Sequence, residues 1–322
     1  MFSVAVIGAG VAGSIAAHQL NQEGYSVTVF DKSRGVGGRM ATRRNNAGEF
    51  DHGACAFISQ TSEFRRALSR APVQSWPCDT DKNTPAHLVG VPRQNQLVKY
   101  WLDTTKLALD CRIQQLTHTT AGWQLTSDQN KTFGPFPGVV IAVPAPQARD
   151  LLSKSQLPVP VSLTTVNMDP VWALMFSLDN PLSAPFHTNL TSAWNAETGI
   201  QGLSANFTKP GRPLQPDRFA YVAHATSAWS RAHLESDPDE IAELMLKTLT
   251  DSITSFPAPD SASAHRWRFA LTRTPLGSPC LSLPDQLILA GDWCLGRTVE
   301  DAFLSGTAAA QQLHQRLRED PA

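Results

Sequence analysis

The chain has 322 residues, 42% of them hydrophobic and 17% charged, with a formal net charge of −1. That length is enough for two lobes around a large buried interior, and the near-neutral balance gives no basis for nucleic acid or an acidic membrane as partner. No apolar run approaches the roughly 18 residues that span a bilayer, and five cysteines (55, 78, 111, 280 and 294), none in a C-x-x-C pair, argue against a disulfide framework or a zinc site.

In chain order, the N-terminal stretch lacks the basic region and cleavage site of an export signal, and with reduced thiols this gives a cytoplasmic expectation. Residues 2–7 form a short apolar run that predicts a buried parallel strand. The turn Gly8-Ala9-Gly10-Val11-Ala12-Gly13 follows, then a helix from Val11 to about Glu23 and a strand from Ser26 to Phe30 that ends at Asp31. The spacing is G-x-G-x-x-G between a strand and a helix. The first glycine permits the tight turn, the second lets backbone amides approach a pyrophosphate, and the third lets helix and strand pack closely. Asp31 is placed to bind a ribose hydroxyl. A second glycine cluster, Gly35, Gly37 and Gly38, leads into Arg39 and Met40. A second backbone approach suits the longer dinucleotide FAD over NAD, and the Arg39 fork is expected on its pyrophosphate.

Residues 61–105 predict mainly helix, broken by a polar stretch from Pro77 to Pro92. Residues 107–133 alternate as an antiparallel meander with a turn at Ala121-Gly122. Val139 to Val143 is a further strand, and Pro144 and Pro146 bracket the start of a helix to Leu152. The stretch 156–275 is proline-rich, with strands at Val171 to Leu178 and Phe219 to Ala225. It also holds a helix from Asp237 to about Thr254, started by Ser236 with Asp239. Near the end, Gln286 to Ala290 is a strand, Gly291-Asp292 a turn, and Val299 to Arg318 a helix opened by a Thr298/Asp301 capping box. Asp292 is expected to accept from a ribityl hydroxyl, and the helix start at Val299 to point partial positive charge at a flavin ring.

The fold class expected is α/β. A Rossmann-like FAD-binding domain, a parallel sheet with an antiparallel meander, is assembled from 1–60, 106–155 and 276–322. An inserted α+β substrate domain with a mixed or antiparallel sheet takes 61–105 and 156–275. Non-covalent FAD is the expected cofactor. Its expected contacts are Gly8, Gly10, Val11, Ala12, Gly13, Asp31, Lys32, Arg34, Gly38, Arg39, Met40, Gly53, Ala54, Ile113, Gly291, Asp292 and Val299. No metal is expected.

These glycine segments, with Asp51-His52-Gly53-Ala54 after the second, resemble the flavin-containing amine oxidase superfamily. Within it the chain is most similar to bacterial renalase-like proteins. The resemblance is carried by Phe30-Asp31-Lys32-Ser33-Arg34-Gly35, Met168-Asp169-Pro170-Val171-Trp172-Ala173 and His224-Ala225-Thr226-Ser227-Ala228-Trp229-Ser230. Ala264-His265-Arg266-Trp267, Gly291-Asp292-Trp293-Cys294 and Leu304-Ser305-Gly306 extend it. It implies oxidation of a reduced nicotinamide nucleotide isomer, a small-molecule dihydronicotinamide, by hydride transfer to flavin N5, with oxygen as acceptor and hydrogen peroxide as product. Trp293, His224, His265, Trp267 and Trp229 are the expected pocket residues.

The chain departs from that pattern in two places. Cys55-Ala56-Phe57 stands where relatives read D-x-G-A-Q-Y-F, and Gly90-Val91-Pro92-Arg93-Gln94-Asn95-Gln96-Leu97 where a Gly-Met-Ser element is expected. Two other readings therefore stand beside the first. One is a flavin amine oxidase or desaturase, against which only three tyrosines weigh mildly. The other is an FAD-binding protein with a degenerate substrate site and little turnover.

Overall fold

A computed structural model describes residues 2–76, 86–183, 190–191, 198–213 and 218–319. The chain opens with β1 (Ser3–Ile7), α1 (Val11–Gln22) and β2 (Ser26–Phe30), a parallel βαβ unit. A hairpin of β3 (Arg43–Asn45) and β4 (Gly48–Phe50) follows, then α2 (Ser62–Leu68), a second hairpin of β5 (Val73–Trp76) and β6 (His87–Gly90), and α3 (Gln96–Trp101). Next come β7 (Lys106–Ala108), the meander β8 (Ile113–Thr119), β9 (Gly122–Ser127) and β10 (Thr132–Phe136), and β11 (Val139–Ile141) with α4 (Ala145–Lys154).

The second half carries α5 (Val161–Thr164), β12 (Asn167–Leu178), β13 (Leu190–Thr191), β14 (Ile200–Ala205), β15 (Phe219–Ala225), α6 (Ser227–Ala232), α7 (Pro238–Ser252) and β16 (Ser261–Thr274). It returns through β17 (Leu281–Leu283), β18 (Leu287–Leu289) and α8 (Val299–Glu319).

The first sheet has the order β17-β18-β11-β1-β2-β7, parallel except for β17. Its strands are buried on both faces, and the side-chain period of two divides them cleanly. Val4, Val6, Val27, Val29 and Ile288 pack toward α1 and α8. Ala5, Ile7, Phe30, Ile141 and Leu289 pack toward the meander and α4. β1 has β2 on one side and β11 on the other, so the Gly8–Gly13 turn leaves the sheet where the strand order reverses. Doubly wound sheets bind ligands at that crevice.

The second sheet, β13-β14-β15-β12-β16, is antiparallel. One face packs on α7 through Trp172, Leu174, Phe176, Ile241 and Met245. The other packs on the first unit through Ala173, Met175, Val222, Phe50 and Cys55.

Three expectations need correction. Residues 61–105 pack mainly on the first sheet, where Phe64, Leu97, Val98 and Trp101 share the core of α1 and α8, and meet the second unit at Trp76 and at 90–92. That stretch also holds the hairpin β5–β6 as well as helices, although 77–85, including part of the Pro77–Pro92 break, lies outside the described residues. The helix α7 is capped by Asp237, not Ser236: its carboxylate accepts from Asp239 N–H at 2.8 Å, and Pro238 fills the first helical position, where no amide partner is needed.

Candidate functional site

The glycine turn presents a backbone cradle. Gly8 has φ +110°, and a Cβ there would lie 2.4 Å from Ala142 O. A Cβ on Gly13 would lie 1.9 Å from Gly8 O, so α1 reaches the sheet only as glycine. Gly10, by contrast, faces open space, and no side chain caps the α1 N-terminus. Gly38 faces Gly10 across the same space, its added Cβ 3.4 Å from Gly10 Cα, and Gly37 N–H donates to Ala9 O at 2.9 Å. Asp31 is held at the edge: Oδ2 accepts from Ala9 N–H and Oδ1 from Ser33 N–H, both at 2.7 Å. Free helix amides, two facing glycines and a half-buried carboxylate with lone pairs to spare fit the pyrophosphate and ribose of a dinucleotide. Lys32 and Arg34 are exposed beside it, and Ile113 is buried at the start of β8.

The Arg39 fork, expected on pyrophosphate, closes instead on Asp292. Its Nη1 donates to Oδ2 at 2.7 Å and its Nη2 to Oδ1 at 2.5 Å, while Nη1 also reaches Ala270 O at 2.8 Å. Thr272 Oγ1 adds a bond to Asp292 at 3.3 Å. Two residues assigned separately to the cofactor thus form one bidentate pair joining both ends of the chain. At α8, Thr298 Oγ1 accepts from Asp301 N–H at 3.0 Å, and the Asp301 carboxylate accepts from the amides of Arg297 and Thr298. This is the expected capping box. A cavity of about 300 Å³ lies beside Thr272 and Gly296, with Arg273, Arg297, Ser227 and Asp169 on its walls.

The pocket residues separate into two groups. Gly53 and Ala54 sit directly on Arg39, whose carbonyl accepts from Ala54 N–H at 2.8 Å. Next to them His52, His265 and Trp267 form an aromatic layer with centroids 4.6–4.9 Å apart, and Trp267 Nε1 donates to His52 O at 2.7 Å. Register explains the grouping: Ala173 on β12 is paired with His224 on β15 and with His265 on β16, so the three share a face. Burial, the neighbouring His265 and the charge of Arg43 push the His52 imidazole down to about 3. Burial and Arg43 push His265 to about 4. Both rings are neutral at physiological pH.

Trp293 and Trp229 stand outside this layer. Trp293 is fully buried, its Nε1 donating to Val143 O at 3.0 Å, and it belongs to the core of the first sheet. Gly291 is there for it, since a Cβ would meet the indole nitrogen at 2.2 Å. Trp229 packs on His233, 4.2 Å between centroids, and joins the core on the α7 face. Tryptophan fills volume better than any other residue, and both are used that way.

The sequence reading passed over three groups. Asp51 is fully buried, accepting from Lys209 Nζ at 2.9 Å, Arg212 Nη2 at 2.5 Å and Thr42 Oγ1 at 2.6 Å. Burial would raise its carboxyl, but Lys209 and Arg212 more than reverse this and hold it below the usual range. Gln94, in the segment that departs from the family pattern, is a brace: its amide accepts from Gly90 N–H at 2.9 Å and donates to Ala54 O at 3.0 Å. Cys55 lies 3.6 Å from His224. The signals for these in the sequence were the run Asp51-His52-Gly53 after a glycine cluster and the two departures from the family pattern that hold Cys55 and Gln94. Among the described residues no group of three or more His, Cys, Asp or Glu is arranged to hold a metal ion, and no helix is long and apolar enough to cross a membrane.

Comparison with known proteins gives two family matches. A model described as NAD(P)-binding Rossmann-like domain matches residues 6–71, and one described as flavin containing amine oxidoreductase matches residues 93–314. A 4,4'-diapophytoene desaturase (4,4'-diaponeurosporene-forming) of Staphylococcus haemolyticus (strain JCSC1435) is 28% identical over 126 residues, which is 39% of this chain and 23% of that protein. The same enzyme from Staphylococcus aureus (strain Newman) is 46% identical over 50 residues, 16% of this chain and 10% of that one. The matched stretches therefore span under a quarter of those relatives' length. Among solved structures, cyclohexylamine oxidase from Brevibacterium oxydans IH-35A superposes with a TM-score of 0.74 at 15% identity, covering 98% of this chain and 99% of that chain. A redesigned putrescine oxidase gives 0.73 at 13%, with the same coverage. At these identities the likeness is one of fold.

Proposed function

The chain belongs to the flavin containing amine oxidoreductase family and is an FAD-dependent oxidoreductase, and from that premise we propose that it oxidises a reduced nicotinamide nucleotide isomer in the manner of the renalase-like proteins. The observation that carries this reading is the layer of His52, His265 and Trp267 beside the Arg39–Gly53 contact. Its three rings are aromatic and uncharged, His52 and Trp267 inclined by 35° with His265 edge-on to both, and the His52–Trp267 pair suits contact with a planar, neutral dihydropyridine. An ammonium substrate would find no carboxylate in that layer and would face the repulsion of Arg43.

Bound FAD supplies the hydride acceptor, and oxygen is the final oxidant, leaving as hydrogen peroxide. The chain's own part is to orient the donor and exclude water. The glycine turn and Asp31 hold the nucleotide half, the Arg39–Asp292 pair fixes the segment between the two sheets, and the aromatic layer sets the plane of the donor. Residues 2–76, 86–155 and 276–319 form the cofactor-holding unit in this reading, and the sheet of β12–β16 covers it. Four free cysteines among the described residues support a cytoplasmic setting.

A second reading, oxidation of an amine or desaturation of a hydrocarbon, is favoured by the family match and by the desaturase relatives. One anaerobic titration separates the two. Visible absorbance of the bound flavin is expected to bleach stoichiometrically with dihydronicotinamide isomers and to stay unchanged with a panel of primary amines. Bleaching by amines alone would overturn the first reading in favour of the second.

A further inference from the structure

Cys55 is in the strip that rests on Arg39, where the family pattern has an amide. Its Sγ lies 3.6 Å from His224 Nδ1, and His224 Nε2 lies 3.0 Å from His52 O. A carbonyl only accepts, so Nε2 carries the proton of the neutral ring. Nδ1 is then a base aimed at the thiol. The groups facing the pair favour a negative sulfur. Lys209 and Arg212 bring two buried cations that share one carboxylate, Asp51. His52 and His265 beside the pair stay neutral.

We propose that Cys55 and His224 form a thiolate–imidazolium pair, a reactive centre beside the expected cofactor contacts Gly53 and Ala54 that small electrophiles and hydroperoxides reach. Burial would raise the Cys55 thiol, but the imidazolium charge, its hydrogen bond and Lys209 more than reverse this, against the opposing charge of Asp51. Burial likewise lowers His224, and the thiolate and its hydrogen bond lift it above the ordinary value. The other described cysteines go the opposite way: burial raises Cys111, Cys280 and Cys294, the last to about 12. Cys55 itself is buried, 7% exposed, under the half-buried Gly53, Ala54, Ala56 and His224, so only a small reagent passing between them reaches its sulfur.

With a hydroperoxide, the Cys55 sulfur attacks one peroxide oxygen and the O–O bond breaks. The leaving alkoxide, or hydroxide when the reagent is hydrogen peroxide, takes the proton of the His224 imidazolium, so the products are cysteine sulfenic acid, neutral imidazole and an alcohol or water. Sulfur gives up two electrons and the peroxide takes them. No substrate is needed, so the pair stands independently of the donor proposed above. If oxygen is the acceptor, turnover itself makes the oxidant.

The test is alkylation of the flavin-loaded protein with iodoacetamide between pH 5.5 and 9, read site by site by peptide mass spectrometry. Cys55 is expected to react at pH 6 at least about tenfold faster than Cys280, with a rate nearly flat to pH 8, as for other histidine-paired thiols. His224→Gln should lower the pH 6 rate at Cys55 by about tenfold or more and restore the rising profile of a thiol near 8.5. A wild-type Cys55 rate at pH 6 equal to that of Cys280, a Cys55 profile that climbs with pH like an ordinary thiol, or an unchanged profile in His224→Gln overturns the pair. If that variant does not fold, the wild-type profile alone decides. Trapping with dimedone after added hydrogen peroxide is expected to mark Cys55 and not Cys280, and an unmarked Cys55 overturns the peroxide step.

Discussion

At the scale of single residues, the junction between the two sheets is controlled by where protons sit. His52 and His265 are held at about 3 and about 4, below the 6.5 of an exposed imidazole. The unfolded chain therefore binds protons that the folded chain refuses as pH falls from 6.5 toward 4, and stability drops over that window. Each such proton steepens the dependence by about 1.4 kcal/mol per pH unit at most. His265→Phe removes one of them, so urea unfolding should show a shallower loss of stability between pH 6 and 5 than in the wild type. An unaltered slope would mean that His265 titrates normally. The His224 ring, raised by its thiol partner, acts in the opposite sense and is left in place by this variant.

At the scale of elements, two glycines test the two uses of that residue. Gly306 on α8 faces α1, where a Cβ would lie 2.2 Å from Ala12 O and 2.5 Å from Ile15 Cγ2. Gly306→Ala must push the helices apart, at a cost of about 1–3 kcal/mol in urea unfolding. Gly10 has φ −84° and nothing within 4 Å of its added Cβ. Gly10→Ala should leave the unfolding midpoint of the flavin-free protein within about 0.5 kcal/mol. It should nevertheless lower the flavin retained on purification, because the new methyl occupies the space meant for the pyrophosphate. Equal flavin content in both proteins would remove Gly10 from the cofactor site. The elements themselves were mostly legible. β2 and β15 match the expected spans, α1 and α8 end within a residue of them, and the meander turns at Gly122 with φ +113°. Local signals sufficed there: apolar runs bounded by glycine, and a cap of Thr298 and Asp301. They failed at β16, whose burial alternates irregularly because its pairing with β12 shifts register twice and its far end also meets Arg39 and Asp292.

At the scale of the molecule, the two sheets are pinned together by ionic contacts alongside the apolar contacts and neutral hydrogen bonds of their junction. Asp51 from the first unit holds Lys209 and Arg212 from the second, and Lys209 also lies 5.1 Å over the Trp76 ring. Asp51→Ala leaves two buried cations without a counter-charge and should cost about 3–5 kcal/mol, read as a lowered midpoint in urea. Because the carboxyl is held below its ordinary value, its contribution is present above the usual carboxylate range and disappears as pH falls through the lowered one. Asp51→Ala should therefore also flatten the acid limb of the stability curve. An acid limb identical to the wild type would show that the network contributes nothing.

The sequence by itself determined the βαβ opening, the glycine cradle with Asp31 at its edge, and the return of the C-terminal helix. Each rests on residues close together in the chain, where steric limits on glycine and helix-end chemistry act locally. Only the tertiary structure decided that Arg39 grips Asp292, that Trp293 and Trp229 are core, and that α2 and α3 pack on the first sheet. It also brought Cys55 to His224, 169 positions away. Such pairs depend on strand register and on which face of a sheet meets which neighbour, and a one-residue change of register reverses every face, so no local pattern encodes them.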